Sequence, residues 1–348
     1  MTAESEDAVA KRCSTEVGLR DVRSLPKAQL HLHLVGAMRR ETLRDLAARN
    51  EVAVPLWDQA RPQTWATFQG YYDAARAAIR TVDDLRRVVV EAAEDDAADG
   101  AGWMEIQVDP TSYVQVFGGL RPVIETVLAA TSEACVPTGV IVCSSWARPG
   151  AHAEQLARLA VEYAEDGVVG FGLSNDERLG HVDDFTEAFR IAADAGLIRV
   201  PHSGFYTGPE HVRCCVERLG ATRVGHGISA VQNRSVLALL AERQVALELC
   251  PASYPALGVL EATDIPVSTL LQAGVPVVLG SDDPLVFGTS LAGQYVLCRE
   301  AGGVSDNALA AIARCSIQFS AAPSLVKETL LAGVDRWVRG CGDGSVVS

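Results

Sequence analysis

Two textures alternate along the chain. Short runs rich in β-branched and apolar residues are followed by longer segments in which apolar positions recur every three or four residues. The short runs are QLHLHL (29–34), WMEIQVDP (103–110), TGVIVCSS (138–145), VVGFGLS (168–174), LIRVPHS (197–203), TRVGHGI (222–228), VALELCPAS (245–253) and PVVLGSDD (276–283). They read as buried strands. Segments such as 81–98, 153–166 and 183–195 carry the helical period and an Ala, Leu, Arg and Glu content to match. Eight β/α units over about 250 residues predict an α/β fold, a (β/α)8 TIM barrel, with a doubly wound open sheet as the alternative. The stretch 41–98 is longer than one crossover requires and predicts extra helices over the barrel mouth, and 305–338 predicts two more at the C-terminus. Residues 1–24 are polar and unpatterned and read as a flexible leader; 25–338 read as a single barrel domain, and 339–348 as a frayed tail.

Composition narrows the partners. The 348 residues are 48% hydrophobic and 21% charged, with a formal net charge of −14. Such a chain can bury a large core, and its acidity argues against a nucleic-acid backbone or an anionic membrane, both of which reward clustered Lys and Arg. A small neutral or cationic molecule fits better. The N-terminus lacks the apolar core of a signal peptide and no run reaches the length of a membrane span, so a cytoplasmic location is expected. Nine cysteines, odd in number and without a C-x-x-C pair, indicate neither a disulfide scaffold nor a cysteine zinc site.

The candidate chemistry lies at the strand ends. His31 and His33 stand two apart in an expected strand, so both side chains face the same way. His202 and His226 also fall at or near C-terminal strand ends, where barrel enzymes keep their catalytic groups; His152, His181 and His211 read as surface residues. Asp282-Asp283 close the eighth run ahead of a proline. Two adjacent carboxylates buried together need a compensating cation. Three histidines and one aspartate make a nitrogen/oxygen site suited to Zn2+, which brings the pKa of a bound water toward about 7. His226, in Val-Gly-His-Gly, is then the natural partner of that water, as base or electrostatic orienter.

In this order the motifs HLHLVGA, HSG, VGHG, CPAS and SDDPLVFG make the chain resemble the adenosine deaminase family of metal-dependent amidohydrolases, over residues from about 25 to 335. The resemblance implies a (β/α)8 barrel and one Zn2+ held by His31, His33, His202 and Asp282. It implies that His226 acts on the water and that Asp283 bonds a substrate ring nitrogen. The H-x-E and P-C-x-x-C signature of the cytidine-type deaminases is absent.

Three departures from the family pattern concern the substrate. The family's H-A-G-E reads His202-Ser203-Gly204-Phe205 here, so Phe205 stands where a glutamate would protonate the purine. Removing a general acid costs about 10² to 10⁴ in rate. Tyr206 and Glu177 are candidate replacements, whereas Glu210 is expected in the first turn of the next helix. Val35 replaces an aspartate that binds ribose, and Asn175 replaces a glycine beneath the purine. Together Val35, Asn175 and Phe205 imply an intact zinc site serving an altered, adenine-type or related heterocyclic substrate that is not ordinary adenosine. Two further readings are a lyase, hydration or ring-opening step on the same metal, and a nucleoside-binding homologue with little activity.

Overall fold

The computed structural model describes residues 19–58 and 62–340. Eight strands form one parallel sheet: β1 Lys27–Gln29, β2 Ala101–Val108, β3 Thr138–Ser145, β4 Val168–Ser174, β5 Ile198–Ser203, β6 Arg223–His226, β7 Ala246–Leu249 and β8 Val277–Leu279. Their spatial order is their sequence order. A doubly wound sheet reverses direction at a switch point, so this order excludes it. The sheet closes on itself just past the named strands. Asp282 N–H donates to the His31 carbonyl (2.9 Å) and His33 N–H to the Asp282 carbonyl (3.1 Å), which joins the end of β8 to the chain leaving β1. The protein is a (β/α)8 barrel.

β3 and β4 have the expected bounds, and β1 does not. Its ladder ends at Gln29, and residues 32 and 33 make only isolated bridges, Leu32 with Asp282 and His33 with Gln107. The cause is the change of neighbour: past Gln29 the backbone bonds alternately to β2 and to the segment after β8, and neither gives a continuous register. β6, β7 and β8 are also shorter than their hydrophobic runs, because the last residues of each run leave the ladder: Ile228 and Ser253 begin short helices, and Asp282 pairs with the chain leaving β1.

Between β1 and β2 lie three helices, α1 Arg40–Arg49, α2 Trp65–Ala78 and α3 Val82–Ala98. α3 begins where a capping box predicts: the Thr81 hydroxyl accepts from Asp84 N–H (3.1 Å), and the Asp84 carboxylate accepts from Thr81 N–H (3.0 Å). α2 lies over the barrel mouth, with Phe68 stacked on Phe287 at 5.9 Å and Trp65 edge-on to Tyr206. The two C-terminal helices, Asp306–Phe319 and Ser324–Arg339, pack on the outside of the barrel. They also anchor the chain ahead of β1: Arg20 N–H donates to Asp306 and Trp337 Nε1 to the Asp21 carbonyl. Of the expected leader, residues 1–18 lie outside the described residues, as do 341–348 of the expected tail. Among the described residues no helix is long and apolar enough to cross a membrane.

Candidate metal centre and substrate pocket

The strand ends place four imidazoles and two carboxylates together. The His31 and His33 rings lie 5.2 Å apart edge to face; His202 is 4.6 Å from His31 and 5.0 Å from His33, and His226 is 5.0 Å from His31. His33 Nε2 approaches Asp282 Oδ1 to 3.4 Å, and His31 Nε2 approaches it to 3.5 Å. Glycines make this convergence possible. A Cβ on Gly280 would sit 2.4 Å from the His31 Cβ, and one on Gly225 would crowd both the His31 and the His202 rings.

The tautomers follow from the neighbours. His202 Nδ1 can only donate to the Leu173 carbonyl at 2.7 Å, and His31 Nδ1 donates to the Glu248 carboxylate at 2.8 Å. Both Nε2 atoms therefore present lone pairs to the centre, and that of His31 has no partner though fully buried. Burial, followed by the neighbouring imidazoles, pushes His202 well below the usual histidine range; burial likewise lowers His33. His33 Nε2 and His202 Nε2 stand 3.1 Å apart. Two neutral nitrogens at that distance repel unless a cation or proton lies between them. Three of the donor–donor edges, His33–His202, His33–Asp282 and His31–Asp282, span 3.1 to 3.5 Å and match the roughly 3.3 Å edge of a tetrahedron with Zn–N bonds of about 2.05 Å, and the ligand atoms of His31, His33 and His202 all lie within 4.8 Å of one another. The donor set fits a zinc ion.

Behind His31 runs a buried charged chain. Glu248 Oε1 pairs with Arg223 Nε at 2.6 Å, and Arg223 Nη2 donates to Glu105 at 2.5 Å. Glu105 also accepts from Trp103 Nε1 and from Ala321 N–H. Buried carboxylates are costly, and this chain compensates them with one fixed guanidinium while orienting the ring of His31. None of the three residues was singled out in the sequence.

Three of the five non-glycine residues with positive φ among the described residues are Asn175 (74°), His226 (65°) and Asp282 (61°). Each costs of order 1–2 kcal/mol, and a fold that retains the strain at three neighbouring strand ends uses it to aim side chains. His226 is pushed down to about 3 by burial, then by His31 and His33, so its imidazole is neutral, and its Nδ1 has no partner. Asp283 goes the other way: burial and then the adjacent Asp282 raise its carboxyl well above the usual range.

Above these groups opens a cavity of about 930 Å³ including its mouth, lined by His33, His202, His226, Asp282 and Asp283 below. Val35, Asn175 and Phe205, the three departures read from the sequence, all line it. The Phe205 ring meets the His226 ring at 4.7 Å and Tyr254 at 5.6 Å, so an apolar face covers this side of the site. The expected replacements for a proton donor are otherwise engaged. Glu177 Oε1 accepts from the N–H groups of Phe205, Tyr206 and Thr207 and from the Thr207 hydroxyl, all within 2.8 Å. It holds the 205–207 loop. Tyr206 lies under the Arg178 guanidinium (4.2 Å), and burial lifts its phenol to about 12. Glu210 is in the first turn of the helix Pro209–Arg218, bonded to Arg213 and Asn233.

Of the histidines assigned to the surface, His181 is exposed. His211 is not: its Nδ1 meets the Ser203 hydroxyl at 2.7 Å and its ring packs on Trp146, behind the loop that carries Phe205. His152 is half-buried and bonds Thr111. Their helical setting hid this, because the inward face of a helix is set by packing.

The adenosine deaminase family profile matches residues 26–337, nearly the whole described barrel. The chain belongs to the adenosine deaminase family. A Streptomyces coelicolor protein provisionally named adenosine/adenine deaminase is 50% identical over 338 residues, covering 92% of this chain and 98% of its own. An aminodeoxyfutalosine deaminase from Streptomyces avermitilis is 32% identical, covering 91% of this chain and 92% of its own. Among solved structures, the adenine deaminase of Arthrobacter aurescens superposes with a TM-score of 0.82 at 27% identity, over 90% of this chain and 99% of that one. Membership in this deaminase family makes the chain a hydrolytic, metal-dependent enzyme of C–N bonds.

Proposed function

We propose that the protein is a zinc-dependent aminohydrolase that removes ammonia from an adenine-type or related heterocycle other than ordinary adenosine. The observation that carries this reading is the pairing of a complete donor set with an altered pocket. His31, His33, His202 and Asp282 present ring nitrogens and a carboxylate oxygen at zinc-like spacings, while Val35, Asn175 and Phe205 line the cavity above. In this reading those four residues hold one Zn2+, which when bound supplies Lewis acidity that brings the pKa of water toward about 7.

The chain's own residues do the rest. The neutral imidazole of His226 accepts the proton of the attacking water and returns it to the amino group, whose C–N bond breaks to release ammonia. Asp283, whose carboxyl is raised above the usual range by burial and then by Asp282, hydrogen-bonds a ring nitrogen and supports the negative charge that builds on the ring as water adds. The Phe205 ring excludes water over His226 and offers an apolar face to the heterocycle. With Glu177 and Tyr206 engaged elsewhere, Asp283 is the cavity carboxyl best placed to offer a proton. An adenine-type ring suits this site because it presents both an amino leaving group and ring nitrogens to Asp283.

Ammonia release by metal-analysed protein is the test, run against adenine, adenosine, 2′-deoxyadenosine, 5′-modified adenosines and N6-substituted adenines. The reading predicts turnover of at least one compound at a rate exceeding that of adenosine. Silence across the panel with one zinc bound would overturn it.

A further inference from the structure

Val35 removes the acidic handle that the family pattern uses for a ribose hydroxyl, so the non-ring part of the substrate needs another contact. The cavity wall supplies one. Among the described residues that line it, Arg76 alone carries a permanent positive charge. It projects from α2 with only 23% of its side chain exposed. Two neighbours on the same helix fix it: the guanidinium lies over the Tyr72 ring at 5.0 Å, and Nη1 donates to Asp73 Oδ1 at 2.5 Å. Asp73 is more than half exposed, so water shares its charge. Nε and Nη2 have no protein acceptor among the described residues, and no other carboxylate lies within ion-pair distance. Asp109, on the same wall, accepts from Thr111 N–H at 2.9 Å and acts on Arg76 only at longer range.

A half-buried guanidinium that lines a cavity, with Nη1 on Asp73 and the Nε/Nη2 pair without a protein acceptor among the described residues, suits a planar or tetrahedral anion. Two parallel N–H groups match a carboxylate or a phosphate bidentately, and partial desolvation strengthens the pairing. A neutral hydroxyl would satisfy the same edge less well.

We infer that the natural substrate is an amino-substituted heterocycle bearing an anionic group, carboxylate or phosphate, which the Nε/Nη2 edge of Arg76 binds. The inference rests on the deaminase reading for the ring end of the substrate and adds the charged end. Tyr72 and Asp73 act as positioning residues for the fork.

Calorimetric titration with deaminated, product-like ligands tests it without turnover. The probes are inosine, inosine 5′-monophosphate and the inosine analogue oxidised to a 5′-carboxylate, each with zinc-loaded wild type, Arg76→Gln and Arg76→Lys. The wild type is expected to bind at least one charged ligand about tenfold or more tightly than inosine. Arg76→Gln should bring that ratio close to one, and Arg76→Lys should keep only part of it, since a point charge remains without the fork. The better of the two charged ligands identifies the anion. Equal binding of charged and neutral ligands by wild type, failure of both charged ligands to bind, or an undiminished ratio in both variants would overturn the inference. Ammonia release from neutral substrates by a wild type without charge preference would leave the deaminase reading standing while this one falls. Charge preference without ammonia release in any arm would do the reverse.

Discussion

The floor and the mouth of this barrel are built differently. On the floor, two of the centre's histidines are fixed from behind: His202 by the Leu173 carbonyl, and His31 by Glu248, which pairs in turn with Arg223 and, through it, Glu105. These side chains are fully or almost fully buried. At the mouth, aromatic rings of α2 and the 205–207 loop make the wall, Phe68 stacked on Phe287 and Trp65 edge-on to Tyr206, and these ring contacts are apolar and less directional than the floor's hydrogen bonds. In the proposed reading the floor keeps the family's donor set, and Val35, Asn175 and Phe205, which line the cavity above it, are where the chain departs. A donor set must meet geometric demands to within tenths of an ångström, so any substitution there is lost function. An aromatic wall can exchange members and admit a different ring.

The sharpest break in that comparison comes on the floor. His202→Ala should abolish activity and leave zinc content well below one per chain, because it removes one of the nitrogen donors of the proposed site. Zinc analysis showing full occupancy would remove His202 from the ligand set. At the mouth, Phe205→Glu puts a carboxyl beside His226 and should raise deamination of adenine-type substrates by about 10², the usual worth of a general acid. Steady-state rates that stay flat would mean that Val35 or Asn175 already excludes the ring.

Between these lies the support of the floor. Glu248→Gln keeps the shape and removes the charge that orients His31; zinc affinity should fall about 10- to 100-fold in competition with a chelator, with the fold intact. Glu177→Ala should cost about 2–3 kcal/mol in denaturant unfolding and slow turnover, since it frees three backbone donors and the loop that carries Phe205.

The smallest expected effect is at the barrel base. Gln29 joins Asp96 to Ser281, next to the site, and burial followed by nearby Asp99 raises Asp96 to about 8. A carboxyl whose folded value lies above its unfolded one contributes stability that is present below about pH 4 and is lost as pH rises toward 8. Asp96→Asn should therefore flatten the fall in melting temperature between pH 4 and 8, leaving the variant a few degrees ahead at pH 8. A slope identical to wild type would show that Asp96 does not titrate in that window.

Much of this was legible in the chain, and the failures have causes. β3 and β4 could be bounded to the residue because Thr138–Ser145 and Val168–Ser174 are buried runs that keep the same strand neighbours on both sides along their length. β1 could not, because alternation in QLHLHL continues after the ladder has changed partners. The site histidines were readable because each ends a β-rich run. Glu105, Arg223 and Glu248 were not: Glu105 and Arg223 are 118 positions apart, and only the register of a closed sheet brings them together. Arg76 looks like any helical arginine until α2 is seen to cover the mouth. Glu177 reads as a spare acid until its oxygen is seen to carry four donors.

The central claim is that a family zinc site has been kept beneath a changed pocket. Its most direct test is to strip the protein of metal and add Zn2+ stepwise, following ammonia release from the best substrate of the adenine panel. The account predicts that activity rises linearly, stops at one zinc per chain, and is larger for that substrate than for adenosine. Activity that survives stripping, or that saturates at another ratio, would contradict it.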